Sequence, residues 1–187
     1  MSIRFQLFAL LLGFAKAQSL QSLWTSTSYS SSKANTNKFQ PVHDKAHLYK
    51  AFHIDARQFK HDAHIGFSKS NSTISGDIEI QVIMGGWRGS RCVIYHGKYL
   101  VKTTETSISQ WIKIRSDFTI SLVDGKIAVM QNSKLFMSYE SPSIKKNEFK
   151  FLMVSASWGS SGQWKIQGTP QIPNKGNRLI FYLPENS

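Results

Sequence analysis

From Phe39 onward, apolar residues fall in short runs separated by polar breaks, and most of those runs keep a period of two. Phe52, Ile54 and Ala56 alternate with polar neighbours, and so do Ile78, Ile80 and Val82. This is the period of a strand with one face on a core and the other toward water. Trp111, Ile112 and Ile114 follow it less strictly. The sharpest hairpin signal is Phe118 to Val123, then Asp124-Gly125, then Lys126 to Met130. Asp-Gly suits a two-residue type I′ turn, because glycine takes positive φ without a Cβ clash. Leu135 to Tyr139 and Phe149 to Val154 read as a further strand pair joined through Pro142, and Gln163 to Gln167 and Leu179 to Leu183 complete the set. No segment sustains the i, i+3, i+4, i+7 spacing of an amphipathic helix, so very little helix is expected. Regularly spaced short strands with turn signals predict an all-β fold, an antiparallel β-sandwich of jelly-roll type. Aromatic residues are 12% of the chain, enough to fill the space between two sheets.

The ends read differently from the middle. Arg4, the apolar run Phe5 to Phe14 and the small-x-small triplet Ala15-Lys16-Ala17 form the three parts of a secretory signal, so residues 1–17 are expected to be cleaved. The run is too short for a transmembrane helix, which needs about 20 apolar residues, and no transmembrane segment is expected elsewhere. Residues 18–38 are rich in Ser, Thr and Asn and read as a flexible leader. The domain proper is expected over 39–168. Pro170, Pro173 and Pro184 mark 169–187 as a departing tail, in which Leu179 to Tyr182 is a possible edge strand. The expected product is a secreted, extracellular single domain.

Charge narrows the partners without naming one. The chain carries +12 in all, and removing Arg4 and Lys16 with the signal leaves +10. A secreted domain this basic is drawn to polyanions, anionic head groups or acidic glycans. The positive residues are spread rather than blocked, so they identify no nucleic-acid patch. The single cysteine, Cys92, has no partner for an internal disulfide and reads as a small buried hydrophobe. Asn71-Ser72-Thr73 is an N-glycosylation sequon, which places Asn71 on a surface loop of a secreted chain.

Candidate chemistry centres on two Trp/Gly phrases. The first is Gly85-Gly86-Trp87-Arg88-Gly89-Ser90-Arg91 and the second is Trp158-Gly159-Ser160-Ser161-Gly162-Gln163-Trp164. Trp111 and Trp164 sit within apolar alternation and are expected in the core. Trp87 and Trp158 adjoin glycines in turns, where both core and exposed positions are open to them. If exposed, they can stack on a sugar face or sit at a lipid head-group boundary. Arg88 and Arg91 can pair bidentately with carboxylate or phosphate. A cofactor-dependent methyltransferase of the common kind needs a βαβ unit with its glycine-rich turn opening a helix, whereas Gly85-Gly86 is followed by another strand-like run. No catalytic residue and no cofactor are therefore assigned. His43-Asp44-Lys45-Ala46-His47 and His61-Asp62-Ala63-His64 resemble metal-ligand clusters, but on a strand His61 and His64 face opposite sides. Asp62 and His64 share a face and are assigned a structural hydrogen-bonding role, with no metal.

The motifs also resemble a known family. Phe52-His53-Ile54, Asp62-Ala63-His64-Ile65-Gly66, Ile83-Met84-Gly85-Gly86-Trp87 and Val93-Ile94, closed by the Trp158 to Trp164 phrase, resemble the farnesoic acid O-methyltransferase-like domain of secreted and intracellular animal proteins, often from insects. Trp111 and the Asp124-Gly125 hairpin fit its middle, and the resemblance runs from about Leu48 to Gly168. This chain departs from the pattern at Arg88-Gly89-Ser90, where the family has Gly-Asn and then Thr or Ser, and at Tyr95, where Arg is common. The resemblance implies a link to isoprenoid acids, and its name implies methyl transfer. Taken together, the sequence points first to a secreted non-catalytic protein that binds an anionic lipid or amphiphile through Trp87, Arg88, Arg91 and Trp158. Glycan recognition by the same loops, including acidic glycans, is the alternative, and methyl transfer to an isoprenoid acid is a third.

Overall fold

The computed structural model describes residues 22–28, 38–57, 59–114, 117–145 and 148–170. The proposed signal and the Leu179 to Leu183 segment lie outside these residues. Twelve strands occur among the described residues: β1 (Ser22–Ser28), β2 (Gln40–His43), β3 (Tyr49–Arg57), β4 (Ala63–Ser68), β5 (Ile80–Gly85), β6 (Arg91–His96), β7 (Tyr99–Glu105), β8 (Phe118–Val123), β9 (Lys126–Gln131), β10 (Lys134–Glu140), β11 (Phe151–Ala156) and β12 (Ser161–Pro170). They form two six-stranded sheets, ordered β1-β12-β3-β8-β9-β10 and β2-β11-β4-β5-β6-β7. Every pairing between these strands is antiparallel. The fold is the expected antiparallel sandwich. Among the described residues no helix is long and apolar enough to cross a membrane.

The period of two sets the inward face. Phe52, Ile54 and Ala56 on β3 and Phe118, Ile120 and Leu122 on β8 face Ile65 and Phe67 on β4 and Val82 on β5 in one core. The rings of Phe52 and Phe67 meet across the two sheets with centroids 6.1 Å apart. Trp164 is fully buried against Phe59, with ring centroids 4.7 Å apart. These side chains fill the space between the sheets.

The central strands of the second sheet are buried on both faces, so alternation hides part of their pattern. All six residues of β4 and all six of β5 are buried. Ile78 precedes β5 and does not continue its inward face. It joins Phe39 and Met153 in a small cluster on the outer side, over Gly66.

Several local expectations are corrected. Ser22–Ser28, read as leader, forms β1 and pairs with β12 along its whole length. Trp111 is buried as expected, but it sits on a short helix, α1 (Ile108–Ile114), rather than on a strand. Ser107 caps that helix: its Oγ accepts from the Gln110 N–H, and its own N–H donates to Gln110 Oε1. This is a capping box, which satisfies backbone donors that the first turn leaves over. The Leu135 and Phe149 runs do not pair, because β10 lies beside β9 in one sheet and β11 between β2 and β4 in the other. Asp124-Gly125 does turn the β8–β9 hairpin, yet only Gly125 has positive φ, at 83°. The type I′ signature of two consecutive positive φ values falls instead on Asn132 (48°) and Ser133 (61°), between β9 and β10.

Cys92 is buried among apolar residues, as expected. Burial pushes its thiol up to about 11, while the Gly85 N–H donating to the sulfur at 3.3 Å and Thr106 pull weakly the other way. The thiolate is the reactive form. Native protein at pH 7 is therefore expected to leave Cys92 unmodified by iodoacetamide over hours, with full labelling only after denaturation. Rapid labelling of the folded chain would contradict this.

Candidate functional site

Three loops at one end of the second sheet converge, and each is bent by residues in the left-handed region. The first leads into β4. Asp62 has φ 51°, which an Asp tolerates better than most residues, and its N–H donates to the Gly85 carbonyl at 3.0 Å. The second runs from Gly85 to Ser90. Gly85, Trp87, Arg88 and Gly89 have φ of 65°, 50°, 58° and 87°. The segment is thus a left-handed loop rather than a helix, although it makes one helix-like turn. Thr106 holds it from the side, donating from Oγ1 to the Gly89 carbonyl and from N–H to the Ser90 carbonyl, both at 2.8 Å. The third loop links β11 to β12 across the two sheets. Trp158 and Gly159 have φ of 54° and 74°, and the Ser160 N–H closes the turn on the Ser157 carbonyl at 2.9 Å. Ser160 Oγ also donates to the His61 carbonyl, which ties the third loop to the first.

Between these loops lies a cavity of about 650 Å³, lined by His61, Asp62, His64, Ile83, Trp87, Arg88, Tyr95 and Trp158. It opens on the outer face of the second sheet, away from the sandwich core, because His64, Ile83 and Tyr95 alternate with the inward residues Ile65, Val82 and Ile94. Trp158 is 67% exposed and Trp87 48%, so both rings stand at the mouth. Asp62 and His64 are buried at the floor. Asp62 Oδ2 lies 2.6 Å from His61 Nδ1, and Oδ1 lies 3.9 Å from His64 Nε2, beyond hydrogen-bond range. The Gln81 amide donates to His64 Nδ1 at 2.8 Å, which in the neutral ring leaves the proton on Nε2. The arrangement offers aromatic faces above and an acceptor with imidazole groups below.

Six non-glycine residues among those described have positive φ. Two are the Asn132-Ser133 hairpin turn. The other four, Asp62, Trp87, Arg88 and Trp158, all line this cavity. A left-handed backbone costs an ordinary L-residue roughly 1–2 kcal/mol. Such strain persists only where surrounding structure enforces it, and it clusters at functional sites.

The sequence assignments divide accordingly. Trp87, Arg88 and Trp158 come together in the cavity, joined by Asp62, whose close partner is His61, and by His64, whose close partner is Gln81. Arg91 lies outside the lining: its Nε is 3.2 Å from Glu105 Oε1, and its guanidinium carbon is 5.7 Å from the centroid of the Trp87 ring, so it backs that ring. His61 joins the same cavity as His64, against the strand expectation, because the left-handed turn at Asp62 breaks the alternation before β4 begins. Ile83 and Tyr95 also line the cavity and are not among the residues assigned to a site from sequence, although the sequence marks Tyr95 as a departure from the family pattern. Asn71 is exposed in the loop after β4, as the sequon requires.

The family profile described as farnesoic acid O-methyl transferase matches residues 28–170. No curated protein shows significant similarity to the chain. Solved structures with a similar fold include sheep galectin-11, at 11% identity and TM-score 0.45 over 70% of this chain and 98% of that one. A Caenorhabditis elegans galectin matches at 10% and 0.44 over 76% and 95%. The Bacillus licheniformis β-glucanase matches at 8% and 0.46 over 80% and 79%. These distant likenesses describe shape and say nothing of a ligand.

Proposed function

The chain belongs to the farnesoic acid O-methyl transferase family, and we propose that this member is a carbohydrate-recognition protein whose site is the cavity beneath Trp87 and Trp158. The observation that carries the proposal is the coincidence of strain and exposure: two tryptophans are held at the mouth in left-handed conformations over a polar floor. A sugar ring has apolar C–H faces that stack on indole and hydroxyls that can reach Asp62 and the imidazoles. An acyl chain in the same place would strip water from the exposed Arg88 and the half-buried His61 and return no hydrogen bonds, at a cost of about 1–3 kcal/mol for each polar group left unsatisfied. Among the described residues, core side chains including Phe52, Phe67 and Trp164 occupy the space between the sheets. On these grounds the glycan reading moves ahead of the anionic amphiphile favoured by sequence. Arg4, the Phe5 to Phe14 run and Ala15-Lys16-Ala17 support an extracellular setting, where glycans are abundant.

Methyl transfer is implied by the family's name rather than by any feature of the cavity. S-adenosylmethionine binding would stabilise the fold by mass action, so the expected result is no thermal shift at high ligand concentration. A glycan array tests the main proposal. The recombinant chain should retain one group of related glycans, and Trp87→Ala should lose that signal with its thermal unfolding little changed, since Trp87 is half exposed. Retention of no glycan, or a signal untouched by Trp87→Ala, would overturn the assignment. Pelleting with phosphatidylserine vesicles but not with glycans would restore the amphiphile.

A further inference from the structure

Among the described arginines, two are already satisfied. Arg57 Nε donates to Asp55 Oδ2 at 2.6 Å, and Arg91 pairs with Glu105 at 3.2 Å. Arg88 has no carboxylate partner among the described residues, although Asp62 lines the same cavity. Asp62 is turned instead to the imidazoles: His61 Nδ1 is 2.6 Å from Oδ2. Arg88 is also exposed and held at φ 58°, ψ 38°, between the left-handed residues Trp87 and Gly89. A free surface arginine has no reason to occupy that backbone region, because a left-handed residue is penalised and solvent exposure alone gains nothing from it. The loop instead sets the guanidinium beside the tryptophan mouth at a fixed root.

We propose that the saccharide recognised here is anionic, and that Arg88 receives its charged group while Trp87 and Trp158 hold the ring and Asp62 accepts from its hydroxyls. This rests on the carbohydrate reading above. A guanidinium presents paired N–H donors that match the two oxygens of a carboxylate or sulfate, and such charge-assisted pairs are about twice as strong as neutral ones. The opposite sign of the cavity floor supplies register. With Asp62 buried at the floor and Arg88 exposed in the lining, a sugar with an acid on one edge and hydroxyls on the other is favoured in the direction that sets its acid on Arg88. The reverse placement would set anion against carboxylate, and like charges brought together suppress the wrong pose. The overall +12 charge adds attraction at long range, but it does not choose among anions.

The test uses paired oligosaccharides that differ only in the anion: uronate-terminated chains against their carboxyl-reduced forms, and sulfated chains against desulfated ones. Titration calorimetry of the full chain should show one acidic member binding at least about tenfold more tightly than its neutral partner, the scale of a charge-assisted pair. Arg88→Gln keeps a side chain of similar reach without the charge, and it should bring that ratio close to one while leaving the neutral partner's affinity in place. Arg88→Lys should keep part of the preference. Raising sodium chloride from 20 to 500 mM should weaken the acidic arm and spare the neutral one, as screening of an exposed charge requires. Whichever arm responds, uronate or sulfate, names the source of the anion. Equal binding of acidic and neutral partners by the wild type would overturn this inference and leave carbohydrate recognition standing, and so would a preference that survives Arg88→Gln. If neither member of any pair binds, carbohydrate recognition fails, and this inference with it.

Discussion

Gly85→Ala is expected to destabilise the fold by about 2–4 kcal/mol, the sum of a left-handed backbone penalty and an overpacked core. The two contributions can be separated. Gly85 has φ +65°, and a Cβ built there falls closer than 3.0 Å to three ring atoms of Trp111. Trp111 is fully buried on α1 and has no room to withdraw. Gly97 provides the control. Its φ is +57°, nearly the same, but a Cβ there meets nothing within 4 Å. Gly97→Ala should therefore lose only the backbone share, about 1 kcal/mol. Urea denaturation with an unchanged m-value measures both. Equal losses at the two positions would mean that the Trp111 contact contributes nothing to holding the loop. The same result bears on the site, because Gly85 carries two anchors of the cavity wall: its carbonyl accepts from Asp62, and its N–H donates to Cys92.

How much of this was legible in the sequence depended on whether the deciding interaction was local. The β3 alternation and the Phe118 to Met130 hairpin were readable because one face of each lies on the core and the turn lies between. Helix α1 was misread because Trp111, Ile112 and Ile114 are too few to establish a period. The readable signal was the polar one before them, Ser107 and Gln110, spaced as a capping box. The separation of β10 from β11 into different sheets depends on a connection that crosses the sandwich, and nothing in Leu135 to Val154 alone states which sheet a strand joins. Of the cavity lining, Trp87, Arg88 and Trp158 were singled out because they lie in the Trp/Gly phrases. Tyr95 and Ile83 look like ordinary strand residues, and only the outer face of β5 and β6 makes them cavity lining. His61 was lost to the strand rule because one left-handed residue, Asp62, reverses which side it faces.

Trp164→Ala should cost about 3–5 kcal/mol, as full burial of a tryptophan implies, whereas Trp158→Gly should leave stability within about 1 kcal/mol of wild type or raise it. The two residues belong to one phrase, Trp158-Gly159-Ser160-Ser161-Gly162-Gln163-Trp164, yet Trp164 is fully buried and Trp158 is 67% exposed. Glycine at 158 relieves a left-handed backbone at φ 54° and gives up little buried surface. The relief is offset in part by the freer unfolded chain that glycine allows. For binding the order reverses. If Trp158 supplies a stacking face, Trp158→Gly should weaken retained glycans by about 2 kcal/mol, the threshold for a binding hot spot and roughly thirtyfold in affinity. A residue that lowers stability where it stands and raises affinity is the signature of a site kept for function. Thermal unfolding and glycan titration on the same preparation decide it. A Trp158→Gly protein that unfolds several kcal/mol more easily would make Trp158 a structural residue, and one that binds glycans at full strength would remove it from the site.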